Sequence, residues 1–137
     1  MGITFNGADV NNYLSTVRLS NCNFTNNEIA TNSGAIENWG SILTVENCNF
    51  NKSKTIGGAI DSYSIILTIA GSSFISCKAS GLGGVINNFE PWSTSIGSTR
   101  LTGNTASNDG AVATNKEMKN IDICTFSNNR PNNAYKC

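Results

Sequence analysis

Histidine is absent from these 137 residues. That removes the commonest general base and the commonest metal ligand together. Charge is sparse: nine basic residues balance nine acidic ones, and charged side chains make up 13% of the chain. A neutral balance argues against nucleic acid or an anionic membrane as partner, because both require a basic face. No apolar run is long enough to cross a bilayer, so membrane insertion is not expected. The opening residues do not show the charged-then-apolar pattern of a signal peptide, and Met1 could lie inside a longer protein. Helical periodicity is missing too. Asn, Ser, Thr and Gly are weak helix formers, and no stretch carries apolar residues at helical spacing over three turns.

What is present is a repeat. Phe24, Phe50, Phe74, Leu101 and Phe126 stand at intervals of 26, 24, 27 and 25 residues. Gly34, Gly58, Gly84 and Gly110 keep the same beat, at 24, 26 and 26. Five residues before each Phe-class position lies an aliphatic: Leu19, Val45, Ile69, Ile96 and Ile121. Two residues before it come Cys22, Cys48, Ser72, Thr99 and Cys124, all small. Ile36, Ile60, Ile86 and Val112 follow the glycines at a fixed distance. Such self-similarity marks one supersecondary unit stacked on its own copies.

Period-2 alternation in Leu43-Thr44-Val45, Leu67-Thr68-Ile69 and Cys48-Asn49-Phe50 makes the unit a coil of short strands. The expected fold is all-β: a right-handed parallel β-helix of about five coils of about 25 residues, roughly 25 Å tall. It is read as one domain, 1–137, a fragment of a longer array. Residues 1–16, with Ile3-Thr4-Phe5-Asn6-Gly7-Ala8, read as the glycine half of a partial first coil, and 130–137 as an irregular tail. Asn27, Asn104 and Asn129, with Ser53 and Cys77 in the other coils, are expected to take left-handed backbone geometry and to bond the next coil. The glycines supply positive φ or close backbone approach at a second corner. Cys22, Cys48 and Cys124 read as buried thiols rather than a disulfide framework, while Cys77 and Cys137 stay unassigned.

Gly57-Gly58-Ala59-Ile60 and Phe126-Ser127-Asn128-Asn129 resemble the GGA[ILV] and FxxN motifs of chlamydial polymorphic membrane proteins. The Asn-rich coils are also similar to adhesin-like surface proteins of methanogens. The likeness spans nearly the whole chain, with departures at Ser33, Asp109, Leu101, Ser53 and Cys77. It implies extracellular display at a cell surface, adhesion, and a glycan or a protein of a host or neighbouring cell as partner.

Trp39, Tyr63 and Phe89 place one aromatic per coil, beside Glu37, Asp61 and Asn87. Alternation sends both columns outward. Aromatic faces next to hydrogen-bonding groups suit sugar rings, but the rings could equally stack on each other to cover a corner. Glu37 and Asp61 could act as paired carboxylates in glycoside hydrolysis, bind a cation or face solvent. Trp92, in the protruding turn Phe89-Glu90-Pro91-Trp92, is a further contact candidate. Asn23-Phe24-Thr25 and Asn51-Lys52-Ser53 match the glycosylation sequon, and Lys116-Glu117-Met118-Lys119 is the only charge cluster along the sequence.

The reading is therefore a non-catalytic adhesin-like repeat with no catalytic residue, metal site or cofactor. Its alternatives are a polysaccharide lyase or hydrolase and a structural stalk without ligand. Open terminal coils imply end-to-end self-association.

Overall fold

The computed structural model describes residues 4–6, 10–28, 34–40, 42–80, 85–89, 93–107, 112–114 and 120–130. It is a parallel β-helix of about four complete turns, with partial coils at its ends. Among the described residues every strand pairs in parallel, and no helix occurs.

Four sheets run along the axis. The first, the Phe sheet, holds six strands: Thr4–Asn6, Asn23–Thr25, Asn49–Asn51, Ser73–Ile75, Arg100–Thr102 and Thr125–Ser127. Its register aligns Phe24, Phe50, Phe74, Leu101 and Phe126. The aliphatic sheet holds Val17–Ser20, Ile42–Glu46, Ile66–Ala70, Ser93–Gly97 and Asn120–Asp122. A short third sheet, Lys54–Thr55, Lys78–Ala79 and Thr105–Ala106, follows the Phe strands. The fourth, the aromatic-edge sheet, contains Val10–Tyr13, Ile36–Trp39, Ile60–Tyr63, Ile86–Asn88 and Val112–Thr114. Alternation puts Leu43, Val45, Leu67, Ile69 and Ile96 fully inside, facing the buried Phe24, Phe50 and Phe74.

One sequence assignment changes. Thr4-Phe5-Asn6 is no glycine half: Phe5 pairs with Phe24 and so opens the Phe sheet. The spacing from Phe5 to Phe24 is 19 residues, which hides Phe5 from a 25-residue count.

The corners have a specific construction. Each aliphatic strand ends in a left-handed residue: Asn21, Asn47, Gly71, Ser98 and Ile123. The next residue then donates to the last carbonyl of the strand. Cys22 Sγ donates to Ser20 O, Cys48 to Glu46, Ser72 Oγ to Ala70, Thr99 Oγ1 to Gly97, and Cys124 to Asp122. The position demands a small side chain that carries a hydrogen, which Cys, Ser and Thr share. The four described cysteines are all free. Burial pushes the Cys77 thiol up to about 11, so it stays protonated and donates to Phe50 O and Ile75 O.

Left-handed geometry falls one residue earlier than expected, at Asn26, Lys52, Ser76, Gly103 and Asn128. Asn27, Ser53, Cys77, Asn104 and Asn129 turn inward and are buried. The left-handed residue must point its side chain out at the bend, which frees the next one to bond across coils. The glycine corner uses both expected devices. Gly58 has φ of 102°, whereas at Gly34 an added Cβ would lie 2.7 Å from Gly58 O. Gly84 and Gly110 lie outside the described residues.

Candidate functional site

In Ile36–Trp39 alternation buries Ile36 and Asn38 and turns Glu37 and Trp39 outward. Parallel register copies the arrangement onto the neighbouring coils. Asn11, Glu37, Asp61 and Asn87 form one outer column. Tyr13, Trp39 and Tyr63 form a second, and Phe89 continues it just past its strand.

The aromatic column is a stack. Trp39 and Tyr63 have ring centroids 4.1 Å apart and planes within 8°, and Tyr63 and Phe89 lie at 4.9 Å and 19°. Tyr63 therefore uses both ring faces inside the column. A sugar cannot stack on it, so the column offers ring edges and the Tyr63 hydroxyl outward. Of the two sequence alternatives, rings stacked on one another describe this corner.

The polar column is tied together as well. Trp39 Nε1 donates to Glu37 Oε1 at 2.9 Å, and Asn11 Nδ2 donates to Glu37 Oε2 at 3.0 Å. Asn87 Nδ2 donates to Asp61 Oδ1 at 2.9 Å. Asp61 does not face solvent as a surface charge would: it is 4% exposed. Burial raises its pKa to about 6, the Asn87 bond opposes the rise, and the Glu37 charge adds to it. Burial, Asp61 and Glu37 also raise the Tyr63 hydroxyl.

With Asp61 at about 6 folded and 3.8 unfolded, the folded chain holds the proton more tightly, so stability falls as pH rises between these values. Asp61→Asn is expected to stabilise the protein above that window by about 1–3 kcal/mol and to flatten the decline. Urea midpoints on either side of the window measure it. Equal midpoints for both proteins at neutral pH would show Asp61 to be well solvated.

Beneath the aromatic stack runs an inward polar ladder, Asn12, Asn38, Ser62 and Asn88, which the sequence reading did not identify. Asn12 Nδ2 donates to Asn38 Oδ1 at 2.6 Å, and Asn38 Nδ2 to Ser62 Oγ at 3.3 Å. Asn88 Oδ1 accepts from Ser64 N and Oγ, and its Nδ2 donates to Thr94 Oγ1. The ladder fixes the backbone that leaves the aromatic corner. Its sequence signal was the Asn at 12, 38 and 88, two residues past each inward aliphatic.

Trp92, Lys116 and Lys119 lie outside the described residues. Both sequons sit in strands or at their ends, with Phe24 and Ser53 fully buried. Among the described residues no group of three or more His, Cys, Asp or Glu could hold a metal ion. Comparisons with protein-family models, curated proteins and solved structures each give no match.

Proposed function

We propose that the chain is a non-catalytic, adhesin-like repeat segment displayed outside the cell, and that it meets its partner along the aromatic corner. The supporting observation is a strip of exposed apolar side chains around the stack. Tyr13 is 71% exposed, Leu14 67% and Trp39 40%, with Ile42, Ile65 and Ile66 close behind. Register makes them neighbours: Tyr13 pairs with Trp39, and Ile42 with Ile66. Scattered exposed apolar residues are ordinary, but an apolar strip beside a polar column is a feature of contact surfaces. Stacked ring edges give it a flat, rigid profile that suits a protein surface. The outward Tyr63 hydroxyl also offers a hydrogen bond, which favours a glycan as the second reading. Display at a surface and adhesion rest on the motif resemblance.

The hydrolase alternative has less support. Its acid and nucleophile must both reach the scissile bond, yet both Glu37 oxygens are occupied and Asp61 is buried. The stalk alternative gives no reason for the exposed strip.

Immobilised protein, offered intact cells and a glycan array, is expected to show saturable retention without release of sugar ends. Trp39→Ala with Tyr63→Ala should weaken retention by about tenfold or more. Ile65→Ser with Ile66→Ser tests the strip without touching the stack. Retention unchanged in both variants removes the corner from function, and liberated reducing ends would favour the enzyme.

A further inference from the structure

The short sheet brings together cations that are scattered along the sequence. Lys54 pairs with Lys78 in register, and on its other side it bridges to Glu28. Thr105 extends the column and bridges to Arg130. One residue pair upstream, the left-handed corner adds Asn26, Lys52 and Ser76. Together Asn26, Glu28, Lys52, Lys54, Ser76 and Lys78 line an open groove of about 350 Å³. Among the described lining residues Glu28 is the only carboxylate, against three lysines. The one ion pair among the described residues joins Arg18 to Glu46, on the aliphatic sheet, so the groove lysines carry no salt-bridge partner there. The acids of the aromatic-edge sheet, Glu37 and Asp61, belong to a different sheet.

We infer that this groove binds an anionic polysaccharide, its carboxylate or sulfate groups seated on Lys52, Lys54 and Lys78. Three features select that class. The lining spans three successive coils and repeats about every 4.8 Å along the axis, close to the length of one sugar ring, so a linear polymer can follow it. The wall offers Asn26 and Ser76 for hydroxyl groups between the charges. Among the described residues no aromatic lines the groove, so single-stranded nucleic acid would find no stacking platform there. No large apolar side chain among the described residues lines it either, so an acidic protein would find no anchor there. The inference is independent of the aromatic corner, which lies on another sheet.

Affinity electrophoresis through gels containing polygalacturonate, heparin, dextran or duplex DNA tests it. The whole chain is expected to be retarded by one or both acidic polysaccharides and not by dextran, with retardation falling as sodium chloride is raised. The two acidic gels separate carboxylate from sulfate recognition. Lys54→Gln with Lys78→Gln should weaken binding by about tenfold or more, because two charge-assisted contacts are lost together. Arg100→Gln, on the Phe sheet, should leave binding unchanged. Circular dichroism confirms that each exposed-site variant is folded. No retardation by either acidic polymer overturns the inference, as does equal retardation of the double lysine variant. Stronger retardation by DNA than by both polysaccharides overturns the assigned class.

Discussion

Phe50→Ala is expected to lower the unfolding free energy by about 4 kcal/mol, more than any other single truncation in the Phe sheet. Phe50 is fully buried between Phe24 and Phe74, with centroids 4.6 and 4.5 Å away and planes within 1° and 3°. Truncation removes both stacked pairs, each worth about 0.5–1.5 kcal/mol beyond the area buried. It also leaves a cavity that cannot easily close. The coils above and below are held at strand spacing by bonds such as Asn49 N to Cys22 O and Ser73 N to Cys48 O. A β-helix resists collapse along its axis for that reason, so the full cavity cost remains. Phe50→Leu should cost about 1–1.5 kcal/mol, because Leu101 already occupies the same column with no exposure. Guanidinium unfolding followed by far-ultraviolet circular dichroism separates the two variants. Indistinguishable midpoints for wild type and Phe50→Ala would mean that the Phe column does not support the coils.

The positions legible in the sequence were those where every coil needs one residue class. The Phe column and the aliphatic column repeat because each coil fills the same core volume, and parallel pairing aligns them in register. What alternation alone could not supply was the cover over an outward residue. Asp61 leaves the core by alternation, yet register sets it between Glu37 and Asn87 and buries it. The left-handed residues were displaced by one from their expected places, because Asn suits both the bend and the inward bonding position that follows it. Asn26-Asn27 and Asn128-Asn129 show both roles side by side.

The candidate surfaces differ in the same way. Trp39, Tyr63 and Phe89 could be seen as a column, because aromatics are rare here at 8% and their spacing follows the repeat. Whether their faces were open depended on side-chain torsions, which spacing does not specify. Lys52, Lys54 and Lys78 escaped notice for the opposite reason. They fall in two coils and at two repeat positions, so no linear window contains a basic cluster. Only the parallel pairing of Lys54 with Lys78 makes one.

Asn104→Ala is expected to cost about 3–4 kcal/mol, close to the loss at Phe50 although the side chain is polar. Asn104 is almost fully buried and works in both directions along the axis. Its Oδ1 accepts from Cys77 N at 2.9 Å, and its Nδ2 donates to Phe74 O at 2.9 Å. From the other side, Asn129 Oδ1 accepts both Asn104 N and Nδ2 at 3.0 Å. Alanine would leave a buried amide hydrogen and a buried carbonyl without these partners, at about 1–3 kcal/mol for each. Neither group can reach water through the packed coil. Asn104→Asp keeps the shape but removes the donor and buries a charge, so it should be no better than alanine at neutral pH. Its deficit should shrink in acid, as the protonated carboxyl regains a hydrogen to donate to Phe74 O. Cys77→Asn supplies the converse test. Stacked against Asn104 in the column Asn27, Ser53, Cys77, Asn104 and Asn129, a new amide could donate to Phe50 O, where the thiol now donates more weakly. Amide exchange at Cys77 gives the most direct measurement, since its hydrogen should lose protection in Asn104→Ala before the Phe sheet opens. Protection retained there would mean that the column is held by packing alone.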